Sequence, residues 1–278
     1  MRISKPRNMA NTKAEKAIRN RNVRDLIAAL SAGADPNRVL KTGNRLIHEA
    51  TEKNEALLVA VLLNMGANPI SKDALGDTAL HRAAEKNCVG SALLLMNRRT
   101  ISCLSAWGDT PLHRAAEKGS REVLGFMLSR GANPNFGLKE NGQVPLHRAA
   151  AQNRRRTAEL LIEYGAKVNA LDSDEQTPLM NAARSGSFEV LQLLLKKDAN
   201  VDHQDREGRT ALAWAATKGD WPKIVSALVK AGAQVGLKDR NGNTALSRAM
   251  LLRHKRTVRI LSRRAPQKST DRKVLRKK

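Results

Sequence analysis

Acidic and aromatic side chains are both in short supply. The 278 residues carry 26 Asp and Glu against 50 Lys and Arg, a net charge of +24 at pH 7. Three Trp, three Phe and one Tyr are the whole aromatic set, and they do not interleave with the basic residues. A stacking platform for single-stranded nucleic acid is therefore missing. Cys88 and Cys103 are the only cysteines, which argues against a disulfide-built secreted domain. The longest apolar run, residues 56–63, is too short to span a bilayer. The stretch Met1–Asn11 is polar, without the apolar centre of a secretory signal. No phosphate-loop glycine spacing and no Ser/His/Asp or Cys/His order stand out, so neither an enzyme nor a cofactor is expected.

What is present is a repeat. The heptapeptide Thr110–Ala116 (TPLHRAA) returns as RLIHEAT from Arg45, TALHRAA from Thr78, VPLHRAA from Val144, TPLMNAA from Thr177, TALAWAA from Thr210 and TALSRAM from Thr244, at steps of 32 to 34 residues. A second phrase keeps step: Gly33-Ala34-Asp35-Pro36-Asn37, Gly66-Ala67-Asn68-Pro69, Gly131-Ala132-Asn133-Pro134-Asn135, Gly165-Ala166-Lys167-Val168-Asn169 and Gly232-Ala233-Gln234-Val235. Thr110 suits an N-cap, with Pro111 at the first helical position, where a missing N–H costs nothing. Alanine pairs such as Ala83-Ala84 and Ala115-Ala116 sit where one helix lies close to its neighbour. Val123, Met127 and Leu128 follow at helical spacing. Gly131 and Gly165 fall where a left-handed helix cap is wanted.

Two phrases locked to a period near 33, one of them T-P-L-H-x-A, resemble the ankyrin-repeat family over about residues 10–264. The resemblance implies an all-α solenoid of paired antiparallel helices with short β-hairpin fingers, its stability summed from units and their interfaces. The units expected fall near residues 10–37, 41–70, 73–101, 105–135, 139–169, 172–202, 205–235 and 239–264, between a disordered basic N-terminus, 1–9, and a disordered basic tail, 265–278. Residues 97–105 break the second phrase and should form an irregular finger. The resemblance also assigns His48, His81, His113 and His147 to hydrogen bonds that tie one loop to the next. Recurring once per unit, on helices about 8–10 Å apart, they cannot converge on a metal.

In such folds the residue after that histidine faces a concave groove. Here that column reads Lys16, Glu49, Arg82, Arg114, Arg148, Asn181, Trp214, Arg248. Glu85 and Glu117 lie three residues beyond Arg82 and Arg114, a spacing that permits same-face pairs. Arg148 has Ala151 at that place and the next unit adds Arg184, so an unbalanced positive patch is expected toward the C-terminal half. The run Arg154-Arg155-Arg156 either extends that patch or is solvated charge. Trp107 at a finger tip, Trp214 in the column and Phe136 beside a finger are candidate anchors for a protein partner. Trp221, after Asp220, reads as structural. Asn37, Asn135 and Asn169 occupy a finger position that the family offers to asparaginyl hydroxylation, or are plain turn asparagines.

Residues 248–278 hold 13 Lys and Arg and one Asp. Arg263 and Arg264, then Arg276, Lys277 and Lys278, with Arg272 and Lys273 between, resemble a bipartite nuclear import signal and read equally as nucleic-acid contacts. Anchoring to an anionic membrane needs a second signal beside a basic tail, and none is visible, nor is there a prenylation motif at Lys278. The expectation is a monomeric, non-enzymatic adaptor of nucleus or cytoplasm that holds an acidic protein segment in its groove and fingers. Nucleic-acid binding through the basic tail and arginine patch is the alternative.

Overall fold

The computed structural model describes residues 5–264. Eight helix pairs follow one another: α1 (Lys5–Arg19) and α2 (Val23–Ser31), α3 (Leu46–Glu52) and α4 (Ala56–Asn64), α5 (Ala79–Lys86) and α6 (Val89–Leu95), α8 (Pro111–Lys118) and α9 (Arg121–Ser129), α10 (Pro145–Ala151) and α11 (Arg155–Glu163), α12 (Pro178–Ser185) and α13 (Phe188–Lys196), α14 (Ala211–Lys218) and α15 (Pro222–Lys230), α16 (Ala245–Leu251) and α17 (Lys255–Ser262). Between the third and fourth pairs lies α7 (Arg98–Ile101), one helical turn in place of the irregular finger expected there. Asn97 nucleates it by accepting the N–H groups of Arg99 and Thr100. First helices pack on first helices and second on second, giving two layers.

The repeated phrases explain this architecture locally. Thr110, Thr177 and Thr210 are extended N-caps whose hydroxyls accept the N–H three residues on. The alanines of each phrase, such as Ala83, Ala84, Ala115, Ala116, Ala182 and Ala183, are fully buried between units. Leu58, Leu62, Leu124, Met127, Leu161 and Leu194 fill the seam between the two layers. Gly131 and Gly165 take the left-handed conformation after their helices, at φ +87° and +85°. Trp221 is structural: any Cβ on Gly186 or Gly219 would strike its indole, at 3.1 and 2.3 Å.

One expectation needs correction. α1 begins at Lys5, inside the stretch read as disordered, because Ala10, Ala14, Ala17 and Ile18 bury one helical face. The fingers are short hairpin turns closed by backbone bonds, such as the Asp73 N–H to the Asp77 carbonyl at 2.9 Å and the Asp205 N–H to the Arg209 carbonyl at 3.0 Å; among the described residues two isolated antiparallel bridges form, Val39 with Arg45 and Lys72 with Thr78. Side chains shape the finger turns as well. Asp73, Asp172, Asp205 and Asp239 each accept the N–H two and four residues ahead, at 2.8–3.0 Å.

Candidate functional site

Each repeat histidine donates its Nε2–H to a carbonyl in the following finger: His48 to Asp77, His81 to Asp109, His113 to Gln143 and His147 to Gln176, all at 3.0 Å. The Nδ1 of His81 and of His147 accepts the backbone N–H at its own N-cap, which leaves a neutral ring with its proton on Nε2. Burial lowers the pKa of all four, taking His81 and His113 down to about 4. No group of three or more His, Cys, Asp or Glu among the described residues could hold a metal ion. Cys88 and Cys103 have thiol pKa values raised by burial, the setting of an inert thiol.

The finger asparagines form a second set of ties. Asn37 accepts the Asn68 N–H and donates to the Gly66 carbonyl, and Asn135 does the same with Lys167 and Gly165. Asn169 accepts the Asn200 N–H at 2.8 Å. At the opposite edge, the turn residues Asn87, Asn153 and Asp220 accept N–H groups of Val123, Val190 and Thr257 in the next second helix. These turn-edge ties were not foreseen; their signal was Asn or Asp between the helices of a pair.

The groove column is held internally along most of its length. Both Nε and Nη2 of Arg82 donate to Asp73 Oδ2, at 2.8 and 2.6 Å. Glu52 and Glu85 complete its shell at 3.6 and 3.8 Å. Burial alone would raise the Asp73 carboxyl, but the Arg82 guanidinium and the Asp77 N–H outweigh it and hold the pKa below the usual range. Arg114 bridges Asp77 and Asp109, at 3.3 and 3.6 Å. Arg148 bridges Asp109 and Glu117, at 3.6 and 3.7 Å. Lys86 and Lys118 extend the lattice to Glu52 and Glu85. In the last unit Arg248 is locked on Asp239.

This lattice corrects two sequence expectations. Glu117 does not pair with Arg114, three residues before it; the offset between units brings it to Arg148 instead. Arg148 is therefore a partnered cation, and the unbalanced charge begins one unit later. Arg154 is tied to the preceding unit, its Nε donating to the Glu117 carbonyl at 3.1 Å.

Beyond Glu117 the carboxylate column ends. The place of Glu52, Glu85 and Glu117 is taken by Ala151, Arg184 and Thr217. Here the column residue is Trp214, and it corrects the reading of an exposed anchor: it is 6% exposed. Its indole Nε1–H donates to Asp205 Oδ2 at 2.9 Å. Three cations cover the ring: the guanidinium carbons of Arg209 and Arg184 lie 4.1 and 5.3 Å from its centroid, and Lys218 Nζ lies 5.9 Å away. The fully covered Asp205 carboxylate also pairs with Arg209, at 3.1 Å. Among the described residues Arg184 and Lys218 make no ion pair with any carboxylate. Beside them the Asn181 side-chain oxygen is buried without a hydrogen-bond partner.

The other candidates lie apart from this cluster. Trp107 is 64% exposed at its finger tip, and the exposed Leu75 crowns the preceding finger. The two fingers touch: a Cβ on Gly76 would lie 2.5 Å from Ala106 Cβ. Phe136 is half-covered, edge-on to His113 with ring centroids 6.3 Å apart. Arg263 and Arg264 are exposed just past α17, while Arg272, Lys273, Arg276, Lys277 and Lys278 lie outside the described residues.

No helix among the described residues is long and apolar enough to cross a membrane. No curated protein matches the chain. A family model described as ankyrin repeats (3 copies) matches four overlapping stretches, residues 15–103, 91–172, 112–205 and 179–272. With its tethering histidines, capped helix pairs and two-layer stacking, the chain belongs to the ankyrin-repeat family.

Proposed function

We propose that the chain is a non-enzymatic adaptor that holds an acidic protein segment in its groove at α12 and α14. Ankyrin repeats are in general protein-interaction modules, and this chain carries them across most of its length. The observation that carries this reading is the end of the carboxylate column after Glu117. From Arg82 to Arg148 the groove cations are matched by the chain's own acids, and a ligand carboxylate there would have to displace one. At Arg184 and Lys218 no such exchange is needed. The buried Trp214 ring beneath them lowers the local dielectric, which strengthens a charge-assisted contact.

The exposed pair Leu75 and Trp107 supplies an apolar contact on neighbouring fingers for a longer partner. Arg263 and Arg264, with the basic residues after them, serve import or contact with an anion; nucleic acid is the competing occupant of that charge.

The test is fluorescence anisotropy of a labelled Glu-rich peptide with the full chain. Arg184→Glu combined with Lys218→Glu should weaken binding at least about tenfold, while neutralising Lys277 and Lys278 should change it little. A loss that follows the tail residues and leaves the groove variant unaffected would move binding to the tail. Tighter binding of a single-stranded oligonucleotide, steeply salt-dependent, would favour nucleic acid.

A further inference from the structure

The last unit departs from the others in a way that neither the groove nor the fingers use. In the third and fourth units the two residues after the alanine pair are Glu85-Lys86 and Glu117-Lys118, and in the sixth Arg184-Ser185. In the eighth they are Leu251-Leu252. Leu251 is 81% exposed, the highest value of any large apolar residue described, and Met250 and Leu252 beside it are exposed at 54% and 44%. Among the described residues no further helix pair covers α16, which explains part of this, since Met250 occupies the place of Ala116, which is buried between units. It does not explain the two leucines, whose places carry polar side chains in those internal units.

The apolar tip stands in a field of one sign. From Arg240 to Arg264 there is no Asp or Glu. Arg253, Lys255, Arg256, Arg259, Arg263 and Arg264 are all exposed, while Thr257 and Leu261 form the buried face of α17. The carboxylate of Asp220, nearest to α17, is engaged by the Thr257 N–H and hydroxyl and by the Arg256 N–H. The packed neighbour α15 adds Lys223 and Lys230 and no acid.

We propose that this turn is a docking surface for an anionic lipid bilayer, with Met250, Leu251 and Leu252 entering the headgroup–acyl boundary and the basic face of α17 lying on the anionic headgroups. One basic signal holds a protein to a membrane only weakly, and a second, apolar one is required. The turn supplies it. The other occupants fit the charge less well. A second copy of the chain brings +24 against +24. The residues after Arg264 carry six Lys and Arg and one Asp, so they repel this surface and add to its attraction for anionic lipid.

The test is co-sedimentation of the full chain with vesicles of phosphatidylcholine alone and of phosphatidylcholine with phosphatidylserine. The variant is L251E/L252K, which copies the internal Glu-Lys pair and leaves the net charge unchanged. The native chain should bind the phosphatidylserine vesicles, keep part of that binding in high salt, and ignore phosphatidylcholine. The double variant should bind at least about tenfold more weakly and lose the salt-resistant part. Arg256→Glu with Arg259→Glu should weaken binding to the phosphatidylserine vesicles. Equal binding by the native chain and L251E/L252K would overturn the proposal, because charge alone would then account for it. No binding of the native chain to either vesicle would also overturn it, and would assign the leucine tip to a protein contact.

Discussion

Acid should loosen this protein well before its carboxylates protonate, and the histidine ties set the size of the effect. His81 and His113 have folded pKa values near 4, against 6.5 for the free side chain, because burial disfavours their charged form. Between those values the unfolded chain binds protons that the native rings refuse, so stability is fully present above about pH 6.5 and falls as the pH drops toward 4. A difference near 2.5 pH units corresponds to roughly 3 kcal/mol per ring. His48 and His147 shift in the same direction and add to the loss. Two rings alone thus amount to about 6 kcal/mol, comparable with the total stability of a typical domain, about 5–15 kcal/mol. Burial raises the Asp77 carboxyl, which therefore stabilises on acidification and partly opposes the histidines. Asp73, Asp220 and Asp239, all lowered, lose their contribution only below the ordinary carboxylate value of 3.8. Urea unfolding followed by circular dichroism from neutral pH down to about pH 5 isolates the histidine window. His113→Gln should flatten the dependence by about 1 kcal/mol per pH unit near pH 5 and by less toward neutrality. A urea midpoint constant across the range, or the same slope in the variant, would refute the reasoning.

Four further substitutions test the ion lattice and the finger packing. Arg82→Met leaves the covered Asp73 carboxylate without its guanidinium and should cost about 3 kcal/mol, read as a lower urea midpoint. Gly76→Ala places a Cβ 2.5 Å from Ala106 Cβ at φ +73°, whereas Gly66→Ala meets open space at φ +89°. The first should cost clearly more than the second, which carries only the conformational penalty of about 1 kcal/mol; equal midpoints would show that the fingers do not bear on one another. Asp205→Ala removes the acceptor for the Trp214 indole N–H and for Arg209, and should lower stability by about 2 kcal/mol with a red-shifted tryptophan emission. Unchanged emission would place the ring elsewhere.

Periodicity made the fold legible, because each unit repeats its caps, its alanines and its tethering histidine at fixed spacing. Thr110, Pro111, Gly131 and His113 all act locally or on the adjacent unit, so a single chain suffices to read them. Contacts that depend on the offset between units were not legible. The spacing of Arg114 and Glu117 permits a pair, yet Glu117 is nearer to Arg148 of the next helix. Trp214 misled for a related reason: its column faces the groove, but the ring is drawn under Arg184 and Arg209 by the hydrogen bond to Asp205. The apolar tip at Leu251 stood out only once its exposure was known, since leucines in a helical segment ordinarily belong to a core.

The placement of an acidic segment on α12 and α14 is tested most directly by hydrogen exchange on the full chain, with and without a saturating Glu-rich peptide. Slowed exchange confined to Pro178–Ser185 and Ala211–Lys218, with the finger that carries Arg209, is the result expected. Protection limited to residues beyond Arg263, or spread over the paired arginines Arg82, Arg114 and Arg148 alone, would contradict it.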